Sequence, residues 1–80
     1  MTHAPEWLQT YPPAQRAALV VHLEEIDRLG RSELPHVVVA ERAGVGRSAV
    51  VAAVAAAWAR RHLIVRSREG EPSVITLPRG

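Results

Sequence analysis

Between Pro13 and Leu29 the apolar positions Leu19, Leu23 and Ile26, continued by Gly30, recur at intervals of three and four, while Glu24, Glu25, Asp27 and Arg28 fall mainly on the other side. That period predicts an amphipathic first helix. Gly30 is expected to end it as a left-handed cap. The preceding dozen residues carry Pro5, Pro12 and Pro13 with Trp7, Leu8 and Tyr11 between them. They read as an N-terminal arm, residues 1–12, in extended or turn conformation, with its Trp and Tyr covering one end of the core.

After Leu29 the pattern changes. Arg31 to Leu34 form a connector able to pair as a short edge strand between the first and second helices. Pro35 can open a second helix reaching about Ala43, although Val37, Val38 and Val39 are β-prone on propensity alone. Gly44-Val45-Gly46 reads as a tight turn, and the alanine-rich run from Arg47 to about Arg61 as a third helix. Two apolar-leaning runs follow, Leu63–Arg66 and Ser73–Leu77, with turn residues Arg68-Glu69-Gly70-Glu71-Pro72 between them, and together they predict a β-hairpin. The expected fold is α+β, three helices followed by a hairpin, spanning residues 13–78.

Eighty residues make one small domain, because a chain of this length hides only about 60% of its unfolded surface and cannot divide it between two cores. Cys is absent, which removes disulfides, thiolate metal sites and cysteine nucleophiles and points to an intracellular, cytoplasmic setting. The N-terminus lacks the layout of a signal peptide, and the low-charge run Ser48–Ala59 is too short to span a bilayer, so no membrane role is expected. The net charge of +2 conceals a division. Residues 1–41 hold three Arg against six acids, giving −3, whereas residues 42–80 hold seven Arg against Glu69 and Glu71, giving +5. A field of that sign on the second half suits a polyanionic partner.

The segment Ala40-Glu41-Arg42-Ala43-Gly44-Val45-Gly46-Arg47-Ser48-Ala49-Val50 resembles a helix-turn-helix. Ala40 is the small residue at the helix contact, Gly44 the residue free to take positive φ, Val45 the apolar plug and Val50 the β-branched anchor of the second helix. With Arg60-Arg61-His62-Leu63-Ile64-Val65-Arg66 and Val74-Ile75-Thr76-Leu77, the chain is similar to a winged helix-turn-helix, in particular to MarR-like bacterial transcriptional regulators. The resemblance implies a bacterial DNA-binding protein concerned with transcription and associated with the nucleoid. His62 stands where that pattern has its helix-ending Gly, and Gly46 where it has a Ser or Thr cap. No dimerisation helix follows Leu77, so a homodimer is expected to form through the arm and the first helix.

The candidate DNA-binding residues are Arg47, Ser48, Arg66, Arg68, Arg42 and Arg60. Arg47 and Ser48 start the third helix, the part of a helix-turn-helix that reaches base edges in the major groove. Arg66 and Arg68 belong to the wing, where phosphate or the minor groove is in reach. Arg42 can equally pair within its own helix, and Arg60 and Arg61 suit the negative end of the helix dipole. Helical projection puts Val50, Ala53, Val54, Ala57 and Trp58 inward and leaves Ser48, Ala52, Ala55, Ala56 and Ala59 facing out. That outer face suggests an alternative, a winged-helix protein–protein interaction module. Gly44-Val45-Gly46-Arg47-Ser48-Ala49 also matches a loose dinucleotide-binding pattern with Glu69 beyond it, but without the strand–helix–strand context such a site needs. His3, His22, His36 and His62 have no metal-ligand spacing, and neither Ser48 nor Ser73 has His and acid partners, so no cofactor, metal or enzymatic activity is expected.

Overall fold

A computed structural model describes residues 4–79; residues 1–3 of the expected arm, with His3, and Gly80 lie outside the described residues. A 3₁₀ turn at Glu6–Thr10 leads into α1 (Pro13–Leu29), α2 (His36–Ala43), α3 (Arg47–Ala59), β1 (Ile64–Arg68) and β2 (Glu71–Thr76). The architecture is α+β, three helices followed by a two-stranded antiparallel hairpin, an arrangement compatible with a winged-helix layout.

Proline sets where the first two helices begin. Pro12 and Pro35 take extended φ/ψ immediately before α1 and α2, and Pro13 occupies the first turn of α1, where its missing N–H costs no hydrogen bond. Gly30 closes α1 at φ 83°, its N–H donating to the Ile26 carbonyl at 2.7 Å. In α2 the valine run stays helical because the turn puts Val39 and Ala40 into the core, leaving Val37 in solvent. Tertiary burial here overrides the β preference of the side chains.

The inward stripe of α1 differs from the expected one. Ala18, Leu19, His22, Glu25 and Ile26 are buried, whereas Leu23 is only partly so. Counting apolar residues alone misplaces the stripe by one position, because its polar members are stabilised by specific partners. His22 is fully buried and its Nδ1 is hydrogen-bonded to Ser32 Oγ at 2.7 Å. Glu25 Oε1 accepts from Arg28 at 2.9 Å and lies 3.8 Å from Arg42 Nη1.

The expected edge strand at Arg31–Leu34 contracts to one bridge. Ser32 donates its N–H to the Ile75 carbonyl and accepts from the Ile75 N–H, both at 2.8 Å. The hairpin pairs Ile64 with Thr76, Val65 with Ile75 and Arg66 with Val74, then shifts register before Arg68 opposite Glu71. The strands therefore extend further toward the turn than predicted, leaving only Glu69 and Gly70 between them.

At its other end α3 stops at Ala59, two residues before the expected Arg61. The left-handed residue is Arg61, at φ 63°, and not His62. The Ala57 carbonyl accepts N–H bonds from both His62 and Leu63, at 2.8 and 3.2 Å, so the chain reverses one residue earlier. His62 is thereby turned toward the arm. Its ring stacks on Trp7 at 4.4 Å and its Nδ1 is hydrogen-bonded to the Tyr11 hydroxyl at 2.8 Å. Leu8 and Tyr11 sit in the same core as Leu19, Val50, Ala57 and Leu63.

Burial of His22 has a consequence for pH. Desolvation, with the charge on His36 adding to it and Glu25 opposing, lowers its pKa from 6.5 to about 4. Between those values the unfolded chain holds a proton that the folded chain does not, so stability falls as pH drops through that window. The shift corresponds to at most about 3 kcal/mol. Urea unfolding at pH 7 and pH 4 should show that loss, and His22→Gln should remove most of the pH dependence while lowering stability at pH 7.

Candidate nucleic-acid interface

The joint between α2 and α3 is built by backbone geometry. Gly44 adopts φ 71°, ψ 33°, and its N–H donates to the Ala40 carbonyl at 2.9 Å. Val45 N–H returns to the same carbonyl at 3.1 Å, which ends α2 within one residue and redirects the chain. Gly46 then caps α3 in extended conformation with no side-chain hydrogen bond. The first N–H groups of α3 thus lack a side-chain cap, at the end of the helix where the backbone dipole is positive.

Arg47 and Ser48 are both exposed at this point, and Arg47 has no ion pair among the described residues. Arg66 is likewise exposed and unpaired, on β1 opposite Val74. The other candidates are engaged by the protein itself. Arg68 donates to Glu33 at 3.0 Å and to the Pro72 carbonyl at 2.8 and 3.1 Å, and lies 3.6 Å from Glu71. The carboxyl of Glu33 also accepts a hydrogen bond from Arg31, which, aided by Arg68, holds it below the usual carboxylate range against an opposing desolvation. Arg42 faces Glu25 of α1, so its partner lies across the helix pair and not within α2 as predicted.

Arg60 lies over the Tyr11 ring at 4.7 Å, and Arg61 over the Trp58 ring at 4.9 Å. Thirteen residues of helix separate Arg60 from Arg47, roughly 20 Å along the axis. The basic half of the chain therefore resolves into separate groups: free Arg47 at the start of α3 and free Arg66 on β1, guanidinium groups paired to Glu25 and Glu33, two stacked on aromatics at the far end of α3, and Arg79 exposed in the tail after β2. The charge imbalance in sequence overstates the field at any one place.

The outer face of α3 presents Ser48, Val51, Ala52, Ala55 and Ala59. Val51 is 50% exposed, a position the helical projection did not single out. Trp58, predicted to be in the core, is 38% exposed. It follows the fully buried Ala57, and a further 100° of helix carries it out of the core toward the flank shared with Val51 and Ala55. Beside that flank lies a groove of about 260 Å³ between α3, the start of α2 and the hairpin, lined by Pro35, His36, Val51, Ala55, Trp58 and Pro72 among others. A larger groove of about 670 Å³ separates the arm from α1 and the C-terminal tail, with Trp7, Val20, Leu23, Arg61, His62 and Leu77 on its walls.

His36 and Glu33 were not singled out in sequence because each sits at the edge of a helix or connector, where no periodic signal marks its role. Among the described residues there is no group of three His, Cys, Asp or Glu arranged to hold a metal ion, and no helix is long and apolar enough to cross a membrane. No protein-family model matches the chain, and neither a curated protein nor a solved structure matches it.

The placement of α3 depends on the positive φ of Gly44. An added Cβ there meets no atom within 4 Å, so substitution carries backbone strain alone. Gly44→Ala should lower stability by about 1 kcal/mol and Gly44→Asn by less, read as shifts of the urea midpoint at constant slope.

Proposed function

We propose that this protein is a small winged helix-turn-helix DNA-binding protein, similar to MarR-like bacterial regulators in layout, whose α3 N-terminus enters the major groove. The observation that carries the reading is the pairing of an uncapped, glycine-turned α3 start bearing free Arg47 and Ser48 with a hairpin that holds Arg66 free in solvent. Amide donors, a positive helix end and an unpaired guanidinium on one short segment suit a phosphate or a guanine edge. Arg66 supplies a second contact from the wing to the backbone or minor groove.

Arg68 contributes by fixing the wing through Glu33 and Pro72, and Arg42 by fixing α2 against α1. Arg60 contributes to the arm contact. With two free cations as the principal contacts, one copy binds modestly. Two copies joined through the arm and α1, where the larger groove exposes Val20, Leu23 and Leu77, would double the contact set.

A second reading, a protein–protein interaction module, draws on the exposure of Val51 and Trp58 beside the smaller groove. Titration of labelled random duplex at low and moderate salt separates the two. Binding that weakens steeply with salt supports the DNA reading, and Arg66→Ala should reduce the slope of log affinity against log salt by about 1. Arg47→Ala should weaken a preferred duplex more than a random one. Absence of binding to any duplex at low salt would overturn the DNA reading and leave the association module.

A further inference from the structure

Once Arg47 and Ser48 are accounted for, the side chains that α3 offers along its exposed flank are aliphatic: Val51, Ala52 and Ala55, with Trp58 beyond them. None can donate or accept a hydrogen bond except the Trp58 indole N–H. The flank is continuous with the groove that Pro35, Val65 and Pro72 also line, so the apolar surface is wider than the helix alone. Arg47 stands exposed and without an ion pair at the start of the same helix, and Arg66, also exposed and unpaired, follows Val65 on β1.

Resting on the DNA reading above, we propose that α3 reads duplex DNA through the C5-methyl groups of thymine, with Val51, Ala52 and Ala55 as the residues that meet them. The base edges of the major groove present hydrogen-bond donors and acceptors and one methyl group, that of thymine. An aliphatic flank pressed on guanine, cytosine or adenine edges strips water from donors and acceptors and returns no partner. Pressed on thymine methyls, it removes apolar surface from water on both sides. The short side chains of Ala52 and Ala55 also bring the helix backbone close to the bases, which long polar readers would prevent. Arg47 and Arg66 supply the electrostatic attachment, and the methyl contacts supply the preference.

Uracil isolates this contribution, since replacing thymine by uracil removes the methyl and leaves every hydrogen-bonding group in place. The test measures binding of the full chain, by fluorescence anisotropy at low salt, to an alternating A·T duplex, to its fully uracil-substituted counterpart and to an alternating G·C duplex. The thymine duplex should bind more tightly than the uracil duplex by roughly fourfold for each methyl covered, with the G·C duplex weakest. Val51→Ser, at a half-exposed position, should narrow the thymine-to-uracil ratio. Binding to all three duplexes with equal affinity for thymine and uracil would overturn this inference and leave the DNA reading intact. Binding to none of them would overturn the DNA reading and the inference together.

Discussion

A buried neutral imidazole holds this fold together at the place where its helical and hairpin parts meet. His22 projects from α1 to Ser32, and Ser32 uses its backbone N–H and carbonyl to grip Ile75 of β2. One residue of connector thus links the longest helix to the hairpin, with its side chain engaged on one side and its backbone on the other. In so small a core such a joint has large leverage, because a two-stranded hairpin is at best marginally stable without support. A short distance outside it, Glu33 and Arg68 repeat the same connection with charges, in partial contact with water. The hairpin's position is therefore set twice, by a dry hydrogen-bonded bridge and by a wetter ionic one. Coulombic attraction at the exposed layer is weak, so the buried layer carries most of the constraint.

That division explains which arginines remain available. A guanidinium has five donors, and one that spends them on a carboxylate and a carbonyl, as Arg68 does, has its geometry fixed by the fold. Arg66, two residues away on the same strand, has no such partner and is free. The carboxylates of Glu33 and Glu71 and the Pro72 carbonyl, all within reach of Arg68, put two nearby cations of the same strand in different service. Similarly, Arg42 and Arg47 flank the same turn, yet one leans on Glu25 and the other stands alone at the head of α3. Type and proximity in sequence do not decide whether a cation is structural or free; the presence of a carboxylate, carbonyl or aromatic face within reach does.

The helices and hairpin were legible because their signals are local. Prolines and glycines mark the starts and stops, and Gly44-Val45-Gly46 carries its own geometry. What the sequence concealed depends on contacts between distant residues. His22 and Glu25 look like members of a polar face until Ser32 is seen at the Nδ1 of His22 and Arg28 and Arg42 at the carboxylate of Glu25. His62 looks like a poor helix terminator until Trp7 and Tyr11 are found around its ring. Trp58 looks like core because it is large and apolar, and its exposure follows only from where α3 is rotated by Val50 and Ala57. Of the six candidate site residues, Arg47 and Ser48 were legible as a pair from the turn that precedes them. The separation of Arg66 from Arg68 was not, since it rests on an acid 35 positions away from Arg68.

The clasp of Trp7 and Tyr11 on His62 spans 51 positions between Tyr11 and His62 and brings the opening of the chain against the end of its last helix. The contact ties the arm to the end of α3 through both a hydrogen bond and ring stacking. Fraying the arm uncovers Leu8 and Tyr11 and loosens the end of α3 that they cover. Arm and helices are therefore coupled in unfolding, and removing residues 6–11 takes away Leu8 and Tyr11, two members of the core.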